Sequence, residues 1–466
     1  MKDHSLNDKG LLADSEAEWT SFEKFAFRVA FGFFGFLTIP IWNINYIKNW
    51  FNINWSNLHI RDMNSLGGFG VRWVQIDSES GIWGLLSYIN WAIVLAGALV
   101  VAIIWTLLDK KSKHYRELYY LVNVTSRFTI IAQLNGLVFS KVFPSQMPPL
   151  SLGQLNTNLG DFTAQKLYWI QLSFVPGYEI FLGAAELVIM ILLFFRKTAA
   201  LGGLLSLIMI GNIAIANHVY DGGVHVLATF HALLGLFIVW PYLPSVWNLL
   251  VKGKDITTRV YYYPMNEGWK KYTRLSLKTF AFVVFFIGSA YLHWHNYTYD
   301  SYKVPARPGL ANARGFYQVT EFRLNGKELP YSPVDSIRWQ EAAFEKWSTL
   351  SYKVHRKFEI HGEAGRGKQF ADVDRTYESA GTGGGKRYYY YEADTINQTL
   401  TLKNKNKLYK DEHIVLKYER PTDTRIILSG LNEFKDSIYV VLDKIDKKYP
   451  LYEGRQQSIG YLNHEF

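Results

Sequence analysis

Cysteine is absent from all 466 residues. That excludes disulfides, thiol redox relays and haem attached covalently through a CxxCH motif. Any electron transfer would then need a non-covalent cofactor or a diffusible quinone. No small-residue cleavage site follows the first apolar stretch, and the tail before it is acidic. The stretch therefore reads as a retained helix and not as a removed signal peptide. Long apolar runs are missing beyond about residue 293, and no fixed-period repeat is visible.

What is present divides into two unlike halves. The hydrophobic fraction is 49%, with a mean hydropathy near zero. That average hides seven stretches, at 25–43, 85–108, 118–141, 167–195, 198–219, 224–243 and 275–293. Each can cross a hydrocarbon core of about 30 Å, which takes roughly 20 helical residues. Past Tyr302 the chain is polar and tyrosine-rich, with period-two alternation over 316–324 and a hairpin signal at Asn325-Gly326. Further strands are expected at 388–391, 399–402, 414–418, 425–429 and 438–442. The fold class is thus a membrane all-α helical bundle of about seven transmembrane helices, with a C-terminal mostly-β soluble domain, a small sandwich or barrel. The expected divisions are a cytoplasmic tail at 1–24, two N-terminal spans with an aromatic exported loop at 25–117, and a four-helix core at 118–247. A basic loop at 248–274, a seventh span at 275–293 and an exported β-rich domain at 300–466 complete them.

The net charge of +10 follows topology better than nucleic acid. Lys110, Lys111, Lys113, Arg116, Arg196, Lys197, Lys252, Lys254, Arg259, Lys270, Lys271 and Arg274 lie in alternate loops, which the positive-inside rule makes cytoplasmic. Lys48, Arg61, Arg72 and Lys166 are the sparse basic residues of the opposite side. The N-terminus is then inside and the β-rich domain outside a bacterial cytoplasmic membrane. Trp42, Trp83, Trp91, Tyr168, Trp169, Trp240, Trp247 and Trp294 suit interfacial belts. The loop holding Trp50, Trp55 and Trp73 is expected to lie on the outer membrane face.

Ionisable groups at membrane depth are costly and so mark function by default. Counting at about 1.5 Å per residue, Arg127 and Glu186 fall at equal depth on adjacent helices, as a structural ion pair or one with a direct role. Glu179, two turns further out, has no arginine at its level. It is the candidate proton-exchanging group, or else a protonated carboxyl gluing helices. Gln133, Asn135, Lys141, Asn212 and His231 share its half of the bilayer. His218, Asp221, His225, His293 and His295 gather near the same face. Their spacings do not suit one metal, so interfacial hydrogen bonding is the simpler reading. Pro176-Gly177 should interrupt the fourth span beside Glu179. Gly183, Ala184 and Ala185 are expected to face Ala199, Ala200, Gly202 and Gly203. Gly381-Thr-Gly-Gly-Gly-Lys-Arg fails as a phosphate loop, because Ala380 and Arg387 stand at required positions, and reads as a flexible hairpin tip.

Several motifs together resemble the DoxX family of four-helix membrane proteins. They are 139–144 (FSKVFP), Gly160-Asp161-Phe162, 178–186 (YEIFLGAAE), 193–202 (LFFRKTAALG), Asn212 and 217–221 (NHVYD). The resemblance covers about 118–247 and implies a quinone-facing or redox-accessory role. It carries over no catalytic residues.

Two readings are open. In one, a quinone, or less readily a haem, binds among Gln133, Asn135, Glu179, Asn212, His218, Asp221, His225 and His231, and a protein partner supplies electrons. In the other, the bundle is an anchor and the β-rich domain, which shows no nucleophile and base arrangement, binds a partner in an assembled complex.

Overall fold

Local chemistry sets the first boundary. The Thr20 hydroxyl accepts from the Glu23 amide while the Glu23 carboxylate accepts from the Thr20 amide, a reciprocal cap that starts α1 at Ser21–Thr38. A computed structural model describes residues 18–39, 48, 51–54, 56, 58, 60, 62, 73–74, 88–255, 268–299, 305–362 and 371–451. Trp42, Trp50, Trp55, Trp83, Arg61, Arg72 and Arg259, and most of the expected aromatic loop, lie outside the described residues.

The remaining long helices are α2 (Ile89–Leu108), α3 (Arg116–Val142), α4 (Ala164–Ser173), α5 (Pro176–Phe194), α6 (Ala199–Val219), α7 (His225–Leu250) and α8 (Gly268–Tyr299). Among the described residues, α2, α5, α6, α7 and α8 are long and apolar enough to cross a membrane. The other two expected spans form as α1 and α3 but carry more charge, including Glu23, Lys24 and Arg28 on α1 and Glu117, Arg127 and Lys141 on α3. The fourth expected span is broken at Phe174 and Val175. Pro176, which lacks an amide hydrogen, becomes the first residue of a new helix.

Packing divides the chain into two units, Met1–Phe139 with Leu182–His293, and Ser140–Phe181 with Trp294–Phe466. The expected 118–247 core is therefore not one packed body. Its residues 140–181 pack with the C-terminal domain.

In the helical unit, a Cβ on Gly203 would meet the Gly235 carbonyl oxygen at 3.0 Å, so α6 and α7 touch backbone to backbone. Gly202, one residue round the helix, faces Leu192 and Leu193 of α5. Gly202 and Gly203 thus meet Leu192, Leu193 and α7, where the sequence led us to expect Gly183, Ala184 and Ala185. Two helices contain π-helical turns, Ser206–Ile210 in α6 and Val283–Gly288 in α8.

In the second unit, eight antiparallel strands close into an up-and-down barrel. In chain order these are β1 (Gly315–Leu324), the two-residue β2 (Lys327–Glu328), β3 (Glu341–Phe344), β4 (Thr349–Lys353), β5 (Lys386–Asp394), β6 (Thr399–Asn404), β7 (His413–Thr422), β8 (Arg425–Leu431) and β9 (Ser437–Ile445). Each pairs with its neighbour, β2 only folds back on the end of β1, and β9 returns to β1 from Phe316 with Ile445 to Leu324 with Ile438. Asn325 and Gly326, both at positive φ, make the β1–β2 turn that the sequence predicts. Eight strands leave an interior that side chains fill. Here Tyr317, Phe322, Phe344, Tyr352, Tyr389 and Leu416 do so, with Tyr352 stacked between Trp339 and Tyr389 at centroid distances of 3.7 and 5.4 Å.

Candidate functional site

The residues singled out by sequence separate between the two units. In the helical unit, His231 Nε2 lies 2.5 Å from Gln133 Oε1. Asn135 accepts from Ser289 Oγ at 2.7 Å. Ser289 sits directly after the π turn of α8, and Ser206, in the π turn of α6, donates to the His231 carbonyl at 3.3 Å. Both π turns therefore adjoin a buried polar pair, a placement common at functional sites. Nearer the start of α7, Tyr88 Oη lies 3.0 Å from His218 Nε2 and donates to Thr229, while the His218 and His225 rings sit 5.0 Å apart.

One expectation needs correction. Asn212 is exposed and does not line this polar core. The π turn just before it adds about one residue per turn and rotates the rest of α6, which α-helical counting misses. Asp221 adopts φ 48 in a turn organised by Asn217, whose Oδ1 accepts from the Val224 amide. Arg127, the expected partner of Glu186, also donates to the Leu193 and Phe194 carbonyls at 2.7 and 3.1 Å, which sets its charge against the C-terminal end of α5. Glu186 is itself buried.

Glu179 is assigned to a different unit from Gln133 and His231. It belongs to the second unit, where its carboxylate accepts from the Met147 amide at 3.2 Å and acts electrostatically on Tyr377. Tyr377 opens onto a buried charge cluster that sequence reasoning missed. Glu378 holds Arg375 at 2.7 Å with one oxygen and Lys405 at 2.9 Å with the other, and all three side chains are at most 1% exposed. Burial pushes the Glu378 carboxyl up, but the two cations outweigh it and leave the group at about 2. Lys166 of α4 donates to the Tyr377 carbonyl and lies 4.0 Å from its ring centroid. Burial pulls Lys166 down to about 7, aided by Arg375 and opposed by Glu378.

The segment at 151–166 seats on the barrel through two more contacts. Glu345 accepts from the Leu152 and Gly153 amides at 2.9 and 3.0 Å, capping the turn Leu152–Leu155. Burial raises Glu345 to about 7 against those two hydrogen bonds. The glycine-rich stretch, expected as a flexible tip, instead lies between β4 and β5 as a strap. Thr163 donates to the Gly381 carbonyl and Gly383 to the Asp161 carbonyl. Gly385, at φ +75, has the Val354 carbonyl oxygen 1.8 Å from where a Cβ would sit. The visible signals were the Gly160-Asp161-Phe162 motif and the run of glycines, which meet here.

A small pocket beside the strap is lined by Ser379, Thr382, Arg387, Asn404, Asn406 and Tyr409, among others. Ser379 Oγ lies 3.0 Å from His361 Nε2, a pairing not visible in sequence. The Thr376 and Lys405 carbonyls, at 3.2 and 3.1 Å, also accept from the Ser379 hydroxyl and compete for its single proton. Among the described residues no group of three or more His, Asp or Glu is arranged to hold a metal ion.

Comparison with known proteins adds little chemistry. Over 72 residues the chain is 33% identical to the uncharacterized protein YwoB of Bacillus subtilis (strain 168), a stretch that is 16% of this chain and 47% of that protein. The chain thus spans about half the length of that relative. No family model matches, and no solved structure matches.

Proposed function

We propose that the chain is a membrane-embedded accessory protein that recognises a protein partner through the loops of its barrel. One observation carries this reading. The barrel interior is occupied by packed aromatic and aliphatic side chains, which leaves recognition to the loops. Tyr331, Val334 and Phe434 are exposed on loops at one end of the barrel, the end where Leu324 of β1 meets Ile438 of β9. The Arg338 guanidinium lies 5.5 Å from the Tyr331 ring, and the Asp335 carboxylate accepts from the Ile337 and Arg338 amides, so the loop is held in shape before any partner arrives. Pre-organisation of that kind lowers the entropic cost of binding.

The setting is a bacterial cytoplasmic membrane, with the N-terminus cytoplasmic and the barrel outside. Five apolar helices and the basic loops support this. The resemblance to the DoxX family fits such an accessory role.

A second reading draws on the helical unit, where Gln133–His231 and Tyr88–His218 offer hydrogen-bonding groups that suit a quinone head group. Photo-crosslinking in cells from Tyr331 or Phe434 of the full-length chain separates the two readings. A discrete crosslinked protein is the expected result. Absence of any crosslink, together with a quinone extracted in stoichiometric amount from the purified chain, moves the function to the helical unit.

A further inference from the structure

Lys270, Arg274 and Lys278 recur every four residues at the start of α8, which places them on one face of the helix. All three are half-buried, while Lys271, Tyr272, Leu275 and Leu277 around them are exposed. That face meets the C-terminal end of α5. Lys278 Nζ lies 4.6 Å from the Phe194 ring centroid and 5.1 Å from that of Phe195, and Phe194 packs against Phe282 and Phe286.

The charged groups acting most strongly on Lys278 are all cations: Arg127 of α3, Arg274 of its own face, and Arg196 just past α5. Arg127 is engaged by the Leu193 and Phe194 carbonyls and adds its field. Cations from three parts of the chain thus act on Lys278, where like charges disfavour one another. Trp269, Tyr272, Leu275 and Phe280 on the same stretch of α8, and Phe195 beside Lys278, are exposed, the mixture found where a helix passes from headgroups into acyl chains.

We propose that Arg196, Arg274 and Lys278 form a binding site for the headgroup of an anionic phospholipid. The phosphodiester oxygens accept from the two guanidinium groups and the ammonium, and the acyl chains lie on Phe195 and Leu275. The site rests on α5 and α8 being membrane helices and is independent of what the barrel recognises.

Titration of the full-length chain in neutral detergent tests it, with native mass spectrometry reading bound phosphatidylglycerol, phosphatidylcholine and inorganic phosphate. Phosphatidylglycerol is expected to bind in preference to phosphatidylcholine, and less tightly as salt rises. Changing Arg274→Gln and Lys278→Gln together should weaken it roughly thirtyfold, while Arg274→Lys with Lys278→Arg retains it. If the double glutamine variant does not stay monodisperse, Arg196→Gln, on a different element, gives the same reading. Equal binding of the two lipids, or undiminished phosphatidylglycerol binding by a folded glutamine variant, overturns the site. Displacement of the lipid by millimolar inorganic phosphate would make it a free-anion site instead.

Discussion

The helical unit and the barrel unit both bury polar side chains, and two sets of those pairs are satisfied by different means. In the helical unit Gln133 with His231 and Asn135 with Ser289 are neutral pairs, and backbone carbonyls accept from the buried Arg127. In the barrel unit full charges meet full charges, with Glu378 between Arg375 and Lys405 and Lys166 alongside. Losing one partner in the first case removes a hydrogen bond. In the second it strands a buried charge, which is far more costly.

Glu378→Ala should therefore show the largest effect. It leaves Arg375 and Lys405 buried without their anion, at a cost of about 3–5 kcal/mol, much of the roughly 5–15 kcal/mol that holds a domain together. Pulse proteolysis of the full-length chain should show the barrel unit unfolding at markedly lower urea; an unchanged midpoint would break the contrast between the units. Gly385→Ala comes next, at roughly 2–3 kcal/mol, because the new Cβ meets the Val354 carbonyl at a positive φ. The same urea series measures it, and a neutral outcome would mean that the strap yields.

The barrel unit should also respond to pH, on the order of 2 kcal/mol. Glu345 titrates near 7 when folded, above its ordinary 4.5, so its contribution is full below about 4.5 and is lost as pH rises through 7. Lys166 titrates near 7 when folded, below its ordinary 10.5, so its contribution is full above about 10.5 and is lost as pH falls through 7. Stability of this unit should pass through a minimum near neutrality. Glu345→Gln should flatten the acidic limb and leave the alkaline limb in place, as read by denaturant midpoints across pH. The smallest effect belongs to the helical unit. Ser289→Ala removes one neutral hydrogen bond to Asn135 and should cost about 0.6 kcal/mol, the mean for such pairs in membrane proteins, measured as a small shift in detergent-induced unfolding.

Much of the fold was legible because its signals are local. Apolar runs located the helices, alternation located β1, and short strand-like runs located β5 to β9. The strands β3 and β4 escaped notice. They are only four and five residues long, and almost every side chain in them is buried on both faces, so no alternation is left to see. The candidate site was less legible. The interruption expected at Pro176-Gly177 falls at Phe174 and Val175, but counting depth along 167–195 gave no sign that residues 140–181 pack with the barrel. No local pattern announces that a segment between two helices will pair with a glycine strap two hundred residues away. Asn212 failed for a related reason, since a π turn shifts the helix face without leaving a mark in the sequence.

The central claim is that residues 140–181 and the barrel form one packed unit. Hydrogen exchange on the full-length chain, read out by mass spectrometry, tests it most directly. The Leu152, Gly153 and Thr163 amides should exchange as slowly as the strands β1 and β5, and Glu378→Ala should release all of them together while α6 and α7 stay protected. Rapid exchange at 151–163 in the unaltered chain, with the barrel strands still protected, would contradict it.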